Sequence, residues 1–134
     1  HPRRAVEAAI DMRITLDRLK AKWAKEGTSP TNFEMGIGLN TGDAFVGLIG
    51  SEKRINYTCI GDSVNLASRV QDLTKDLKWP LLITEFLYER IKDEFDAEFA
   101  EARLVKGKTV PVGMYRVIGR KGAPESEKVR ALFA

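Results

Sequence analysis

FEMGIGLNTGDAFVGLIGSEKRINYTCIGDSVNLASR, residues 33–69, is the stretch whose reading decides the fold. Phe33, Met35, Ile37 and Leu39 alternate with Glu34, Gly36, Gly38 and Asn40, the period of two that a half-buried strand shows. Thr41-Gly42-Asp43 is turn chemistry and Ala44 to Ile49 is again apolar, which predicts a hairpin over Phe33–Ile49. Gly50 to Arg54 is a polar connection, and Ile55 to Ile60 a further short strand. At Gly61-Asp62 the period changes. Leu66, Val70, Leu73 and Leu77 recur at threes and fours, one stripe of a helix whose first N–H groups can donate to Asp62 or Ser63.

Outward from this stretch the chain continues to alternate. Upstream, Ala5, Ala9, Met12, Leu16, Leu19 and Trp23 predict a helix from Pro2 to about Lys25 with that stripe buried, stopped at Gly27 and Ser29-Pro30. Downstream, Trp79-Pro80 ends the second helix and Leu81-Leu82-Ile83 is a buried strand. Thr84 can cap a short helix reaching Ile91. Phe95 to Val105 and Val112 to Ile118 are two more strands around Lys106-Gly-Lys-Thr. Residues 119–134 read as a linker, Arg120 to Pro124, and a brief helix, Ser126 to Phe133. Such alternation with one hairpin predicts an α/β or α+β sandwich with a mixed sheet.

Composition bounds the chain without naming its work. Its 134 residues make about one domain. A hydrophobic share of 43% and a charged share of 31% are globular. Twenty-two Lys and Arg against 19 Asp and Glu leave +3. That excess is spread without basic runs, so it points to neither nucleic acid nor a membrane surface. No apolar run approaches the ~20 residues of a membrane span. A single cysteine, Cys59, excludes an internal disulfide and any multi-cysteine zinc site and suits a reducing, cytoplasmic compartment. Within a strand it reads as a small core residue rather than a nucleophile.

Three constellations could carry chemistry. Gly36, Gly38, Gly42, Gly47, Gly50 and Gly61 cluster, but Gly36-Ile-Gly38-Leu-Asn-Thr41 lacks the last glycine of a dinucleotide fingerprint and leads to no helix. Turns and close strand packing account for them. Asn65 and Arg69 stand one turn apart on a helix face that also carries Asp62, Asp72 and Asp76. Either Arg69 pairs with Asp72 or Asp76 on a solvated stripe, or amide and guanidinium reach together for a ribose or phosphate. Lys106-Gly107-Lys108 is a surface turn or a phosphate contact. His1, the only histidine, sits at the chain end and makes histidine acid–base chemistry a poor fit.

Taken together, Gly36 to Gly50, Tyr57-Thr-Cys-Ile-Gly-Asp-Ser-Val-Asn-Leu-Ala-Ser-Arg69 and Leu104-Val-Lys-Gly-Lys108 closely resemble the class III nucleotidyl cyclase catalytic domain. The ordered match runs from the first helix to about Ile118. The resemblance implies an α+β, ferredoxin-like βαββαβ-type fold with a mixed, mainly antiparallel sheet and helices packed on it. It also implies conversion of ATP to 3′,5′-cyclic AMP and pyrophosphate, with two divalent ions, Mg²⁺ or Mn²⁺, in the complete site. Family sites form between two domains, in a head-to-tail homodimer. On that resemblance Asn65 orients the ribose, Arg69 steadies the pentavalent phosphorus, Lys106 holds the terminal phosphates and Lys108 is a secondary contact. Thr58 falls on the base-reading position, where many adenylyl cyclases have Asp and guanylyl cyclases tend to have Cys. Threonine there resembles a bacterial subgroup of adenylyl cyclases. Cys59 is one residue out of register, so on a strand it faces the other way.

The resemblance also departs from the family. The two metal-binding aspartates and the phosphate-cradling glycine turn belong upstream of the first helix, and neither Asp43 nor Asp62 matches a metal position. Residues 1–118 are therefore expected to be the C-terminal portion of a catalytic domain without its N-terminal strands, binding no metal and inactive alone. An open sheet edge should then favour a swapped or head-to-tail dimer. A non-enzymatic cyclase-like dimerisation module and a guanylyl cyclase are the alternative readings.

Overall fold

The computed structural model describes residues 1–27, 34–105, 108–124 and 126. In chain order it has α1 (Pro2–Lys25), β1 (Ile37–Leu39), β2 (Phe45–Ser51), β3 (Arg54–Ile60), α2 (Asp62–Asp76), β4 (Leu81–Thr84), α3 (Glu85–Ile91), β5 (Phe95–Arg103) and β6 (Val112–Arg120). Four strands form one sheet in the order β1-β4-β6-β5. β1 runs parallel to β4, with Ile37 beside Leu81 and Leu39 beside Ile83. β4–β6 and β6–β5 are antiparallel. The fold is α+β with a mixed, mainly antiparallel sheet, as expected.

β4 is buried along its whole length, and its alternation separates two cores. Leu81 and Ile83 pack with Val6, Ala9 and Ile10 of α1, Leu87 and Ile91 of α3, Phe95 and Val117. Leu82 points the other way, to Leu66, Val70 and Leu73 of α2 with Val112 and Met114. The stripe read for α2 is thus the buried one, with Leu77 at its half-buried end. Thr84 caps α3 as read, its Oγ1 accepting from Leu87 N–H at 3.4 Å.

Three readings give way to the structure. The hairpin expected over Phe33–Ile49 does not form among the described residues (Phe33 itself lies outside them). β1 pairs with β4, and β2 pairs with β3 from Phe45↔Ile60 to Ser51↔Arg54. Gly50 explains the tight closure. Its φ is +146°, and a Cβ there would overlap the carbonyl of Arg54, so only glycine fits beside the turn at Glu52-Lys53. Second, α1 buries Val6, Ala9 and Ile10, so of the stripe read to Trp23 only Ala9 is fully buried. Met12 is 51% exposed and Leu19 38%. The helix carries two apolar stripes, and the β-branched one, Val6-Ile10-Ile14, meets the sheet. Third, Cys59 is exposed rather than in the core, because the β2–β3 hairpin forms a two-stranded sheet of its own. The terminal helix read for Ser126–Phe133 lies outside the described residues beyond Ser126. That residue is buried, its Oγ donating to Arg120 O at 2.7 Å. No described helix is long and apolar enough to cross a membrane.

The seat of α2 is what positions the site. Added Cβ atoms would overlap Thr74 Oγ1 at Gly36, the Gln71 backbone at Gly38 and Ser63 Oγ at Gly42. At Gly38 helix backbone therefore lies against strand backbone, while Gly36 and Gly42 make room for the Thr74 and Ser63 side chains. The three glycines are close-packing residues, one of the two uses read for them.

Candidate functional site

α2 begins on Gly61, whose φ of 141° no ordinary side chain adopts readily, and no side chain caps it. Asp62 is its first helical residue rather than its cap, so its carboxylate meets the positive end of the helix dipole from inside the first turn. With Leu66, Val70 and Leu73 turned into the core, the helix presents Asp62, Asn65, Arg69 and Asp72 together. These line an open cleft of about 650 Å³, closed on the far side by Val105 and Lys108. Asn65 and Arg69 sit side by side in it, one turn apart.

Arg69 makes no ion pair among the described residues, so the solvated-pair alternative is not what the structure contains. Asp76 instead lies 3.8 Å from Arg103. The guanidinium is therefore available to an anion entering the cleft. Lys108 stands opposite, its Nζ 5.7 Å from the Phe86 ring centroid, a cation–π contact that leans the chain toward the α2 terminus. It also borders a smaller recess of about 210 Å³ with Asn40, Gly42, Asp62, Ser63 and Phe86. Two cations face two carboxylates, a balanced arrangement that an incoming polyanion would tip.

The other expected residues are not gathered here. Lys106 lies outside the described residues. Thr58 is on β3, exposed, opposite Gly47, and does not line the cleft. The hairpin register puts Thr58 on one face with Ile49, Asn56 and Ile60, and Cys59 on the other with Val46, Leu48 and Tyr57. The two residues do face opposite ways. Ser68, three residues after Asn65 and so on the same face of α2, also lines the cleft. Lys108, expected as a secondary contact, is the described lysine at the cleft.

Comparison with known proteins gives a consistent answer. Residues 1–119 match the family described as Adenylate and Guanylate cyclase catalytic domain. The chain is 39% identical over 128 residues to the terminal-differentiation-specific adenylate cyclase of Dictyostelium discoideum, covering 93% of this chain and 6% of that protein. Among solved structures it is similar to the adenylyl cyclase CyaB from P. aeruginosa, with a TM-score of 0.73 and 34% identity over 88% of this chain and 59% of that one. It is also similar to the guanylyl cyclase Cya2, with a TM-score of 0.66 and 30% identity over 90% and 59%. The chain thus spans less than two thirds of each.

Proposed function

The chain belongs to the adenylate and guanylate cyclase catalytic-domain family, and on that premise we propose that it forms the ribose- and phosphorus-gripping part of an adenylate cyclase. In the reaction the 3′-hydroxyl of ATP loses its proton and attacks the α-phosphorus. The O3′–Pα bond forms, the bond from Pα to the bridging oxygen breaks, and pyrophosphate leaves with the electron pair. The observation that carries this reading is the pairing of Asn65 with Arg69 in the α2 cleft, the guanidinium without an ion pair among the described residues. Asn65 hydrogen-bonds the ribose and holds the 3′-oxygen in line. Arg69 meets the charge that accumulates on the pentavalent phosphorus, where a fixed guanidinium helps most. Lys106 holds the terminal phosphates and Lys108 assists.

Thr58 reads the adenine amino group through its hydroxyl, a softer discrimination than a carboxylate gives. It sits outside the α2 cleft, which is consistent with a site completed by a second copy placed head to tail. The hairpin supports such a partner: Val46, Leu48, Ile55 and Tyr57 share one face and are 51%, 71%, 61% and 75% exposed, an apolar patch that water alone covers poorly. A swapped dimer would cover the same face. Residues 1–118 are the catalytic portion and 119–134 a connecting tail. ATP places the reaction in the cytoplasm.

The family reaction calls for two divalent ions, Mg²⁺ or Mn²⁺, which neutralise the triphosphate and activate the 3′-hydroxyl when bound. The described residues do not fit them: no group of three His, Cys, Asp or Glu comes together. The carboxylate ligands for these ions come from outside the described residues. The second reading is a cyclase-like module that only dimerises.

Assay of the full-length protein with ATP and Mg²⁺ or Mn²⁺ separates the two. Cyclic AMP should form, and Arg69→Ala should lower kcat by about 10²–10³-fold. No product, or an unaffected Arg69→Ala variant, would overturn the enzymatic reading. Preferential cyclic GMP formation from GTP would overturn the role given to Thr58.

A further inference from the structure

We propose that Asn40 and Thr84 are positioning residues that set the axial register of α2, and through it the placement of Asn65 and Arg69; this rests on the roles assigned to those two residues above. α2 starts on a glycine with no side-chain cap and lies on β1 through glycine contacts. The glycines permit close approach and Leu66, Val70 and Leu73 hold the helix on the sheet, but the uncapped first turn still needs a directional contact to fix where along the strand it stops. Asn40, immediately after β1, supplies the stop. Its Nδ2 donates to Ser63 O at 3.0 Å, in the first turn and two residues before Asn65.

The opposite end of the same amide is held from another direction. Thr84 Oγ1 donates to Asn40 Oδ1 at 2.6 Å while accepting from Leu87 N–H at 3.4 Å. Thr84 is fully buried. The polarity of the chain is forced: Ser63 O can only accept, so the amide nitrogen faces it, and the hydroxyl must give its single proton to Oδ1. One relay thus joins β4 and α3 to the end of β1 and the start of α2. A shift of about 1 Å in groups that position a reaction can change the rate by about 10²-fold, so loss of the relay should appear in turnover.

The experiment compares Thr84→Val, Asn40→Asp and Thr84→Ser in the full-length protein, by steady-state cyclic AMP formation and by amide hydrogen exchange across residues 62–69. Thr84→Val keeps shape without the hydroxyl. Asn40→Asp keeps the acceptor for Thr84 and turns an oxygen toward Ser63 O. Both should lower kcat by about 10- to 100-fold with KM within about threefold, and should speed exchange in the first turn of α2. Thr84→Ser should restore kcat to within about twofold. Should Thr84→Ser be as damaged as Thr84→Val, the role is packing and the relay is wrong. Equal kcat and exchange in Asn40→Asp and the parent would also overturn it. If the parent forms no cyclic nucleotide, the enzymatic reading falls, while exchange in α2 still decides the relay: unchanged exchange in both variants refutes it.

Discussion

The α2 seat and the β2–β3 hairpin are neighbours in sequence and opposites in construction. In the seat, Gly38 lies against helix backbone, Gly36 and Gly42 receive the Thr74 and Ser63 side chains, and Leu66, Val70 and Leu73 are buried. On the hairpin, large apolar side chains stand in solvent, Tyr57 at 75% and Leu48 at 71% exposure. Asn65 and Arg69 project from the first region, and Thr58 from the second. On the roles proposed above, the groups that meet the phosphorus need fixed geometry, which the packed seat supplies, and the one that reads the base rides on an arm that a second copy would hold in place.

Filling glycines should break this contrast most visibly. Gly38→Ala drives a Cβ into the Gln71 backbone, where nothing can give way, and should destabilise the chain by about 3 kcal/mol, roughly a 10 °C fall in the thermal midpoint. On the hairpin, Gly47→Ala meets only the outer Phe45 ring atoms, the nearest at 3.2 Å, and a small ring movement should keep its effect within about 0.5 kcal/mol. Equal midpoints for the two variants would erase the distinction between a tight seat and a loose arm.

A subtler separation comes from charge on the hairpin. Leu48→Lys with Tyr57→Lys replaces exposed side chains, so the thermal midpoint of the isolated chain should move by only a few degrees. Its sedimentation at high protein concentration should shift from dimer to monomer, and cyclic AMP formation by the full-length protein should fall. An unchanged sedimentation profile would mean that this face is not where the second copy sits.

The smallest expected effect lies away from both regions. Tyr115 stacks on Tyr88 at 3.9 Å and meets Phe99 edge-on at 5.5 Å. Burial pushes its phenol above the ordinary value of 10.0, and charge at Tyr88, Glu85 and Glu89 adds to the shift. The charged form is the one the fold disfavours. Its contribution to stability is therefore whole below pH 10 and is lost as pH rises through the folded-state value. Tyr115→Phe should lose less stability than the parent from pH 10 upward; parallel melting curves against pH would show that the shift has no energetic weight.

Much of this was legible in the residues, and the failures share one cause. The α2 stripe, the paired Asn65 and Arg69 and the Thr84 cap all rest on spacings of three or four within one helix, which the backbone imposes wherever the helix goes. The hairpin register was misread because β1 and β2 have the same alternation, and alternation does not say which strand lies beside which. On α1 two apolar stripes compete, and choosing Val6-Ile10-Ile14 depended on the shape of the sheet beneath. Cys59 looked like a core residue because a strand has an inside only when something covers it. The Asn40–Thr84 contact joins residues 44 apart in sequence and leaves no local pattern.

By itself, then, the order of residues determined the elements, the apolar stripe of α2, the family and the identity of the chemical groups, because these follow from covalent spacing and side-chain type. Tertiary structure alone decided the partners: β1 against β4, α2 on glycine backbone, and Lys108 at the mouth of the cleft. It alone also left the hairpin's apolar face open. Contacts between distant residues are chosen by which surfaces fit and exclude water together, and no single segment carries that information.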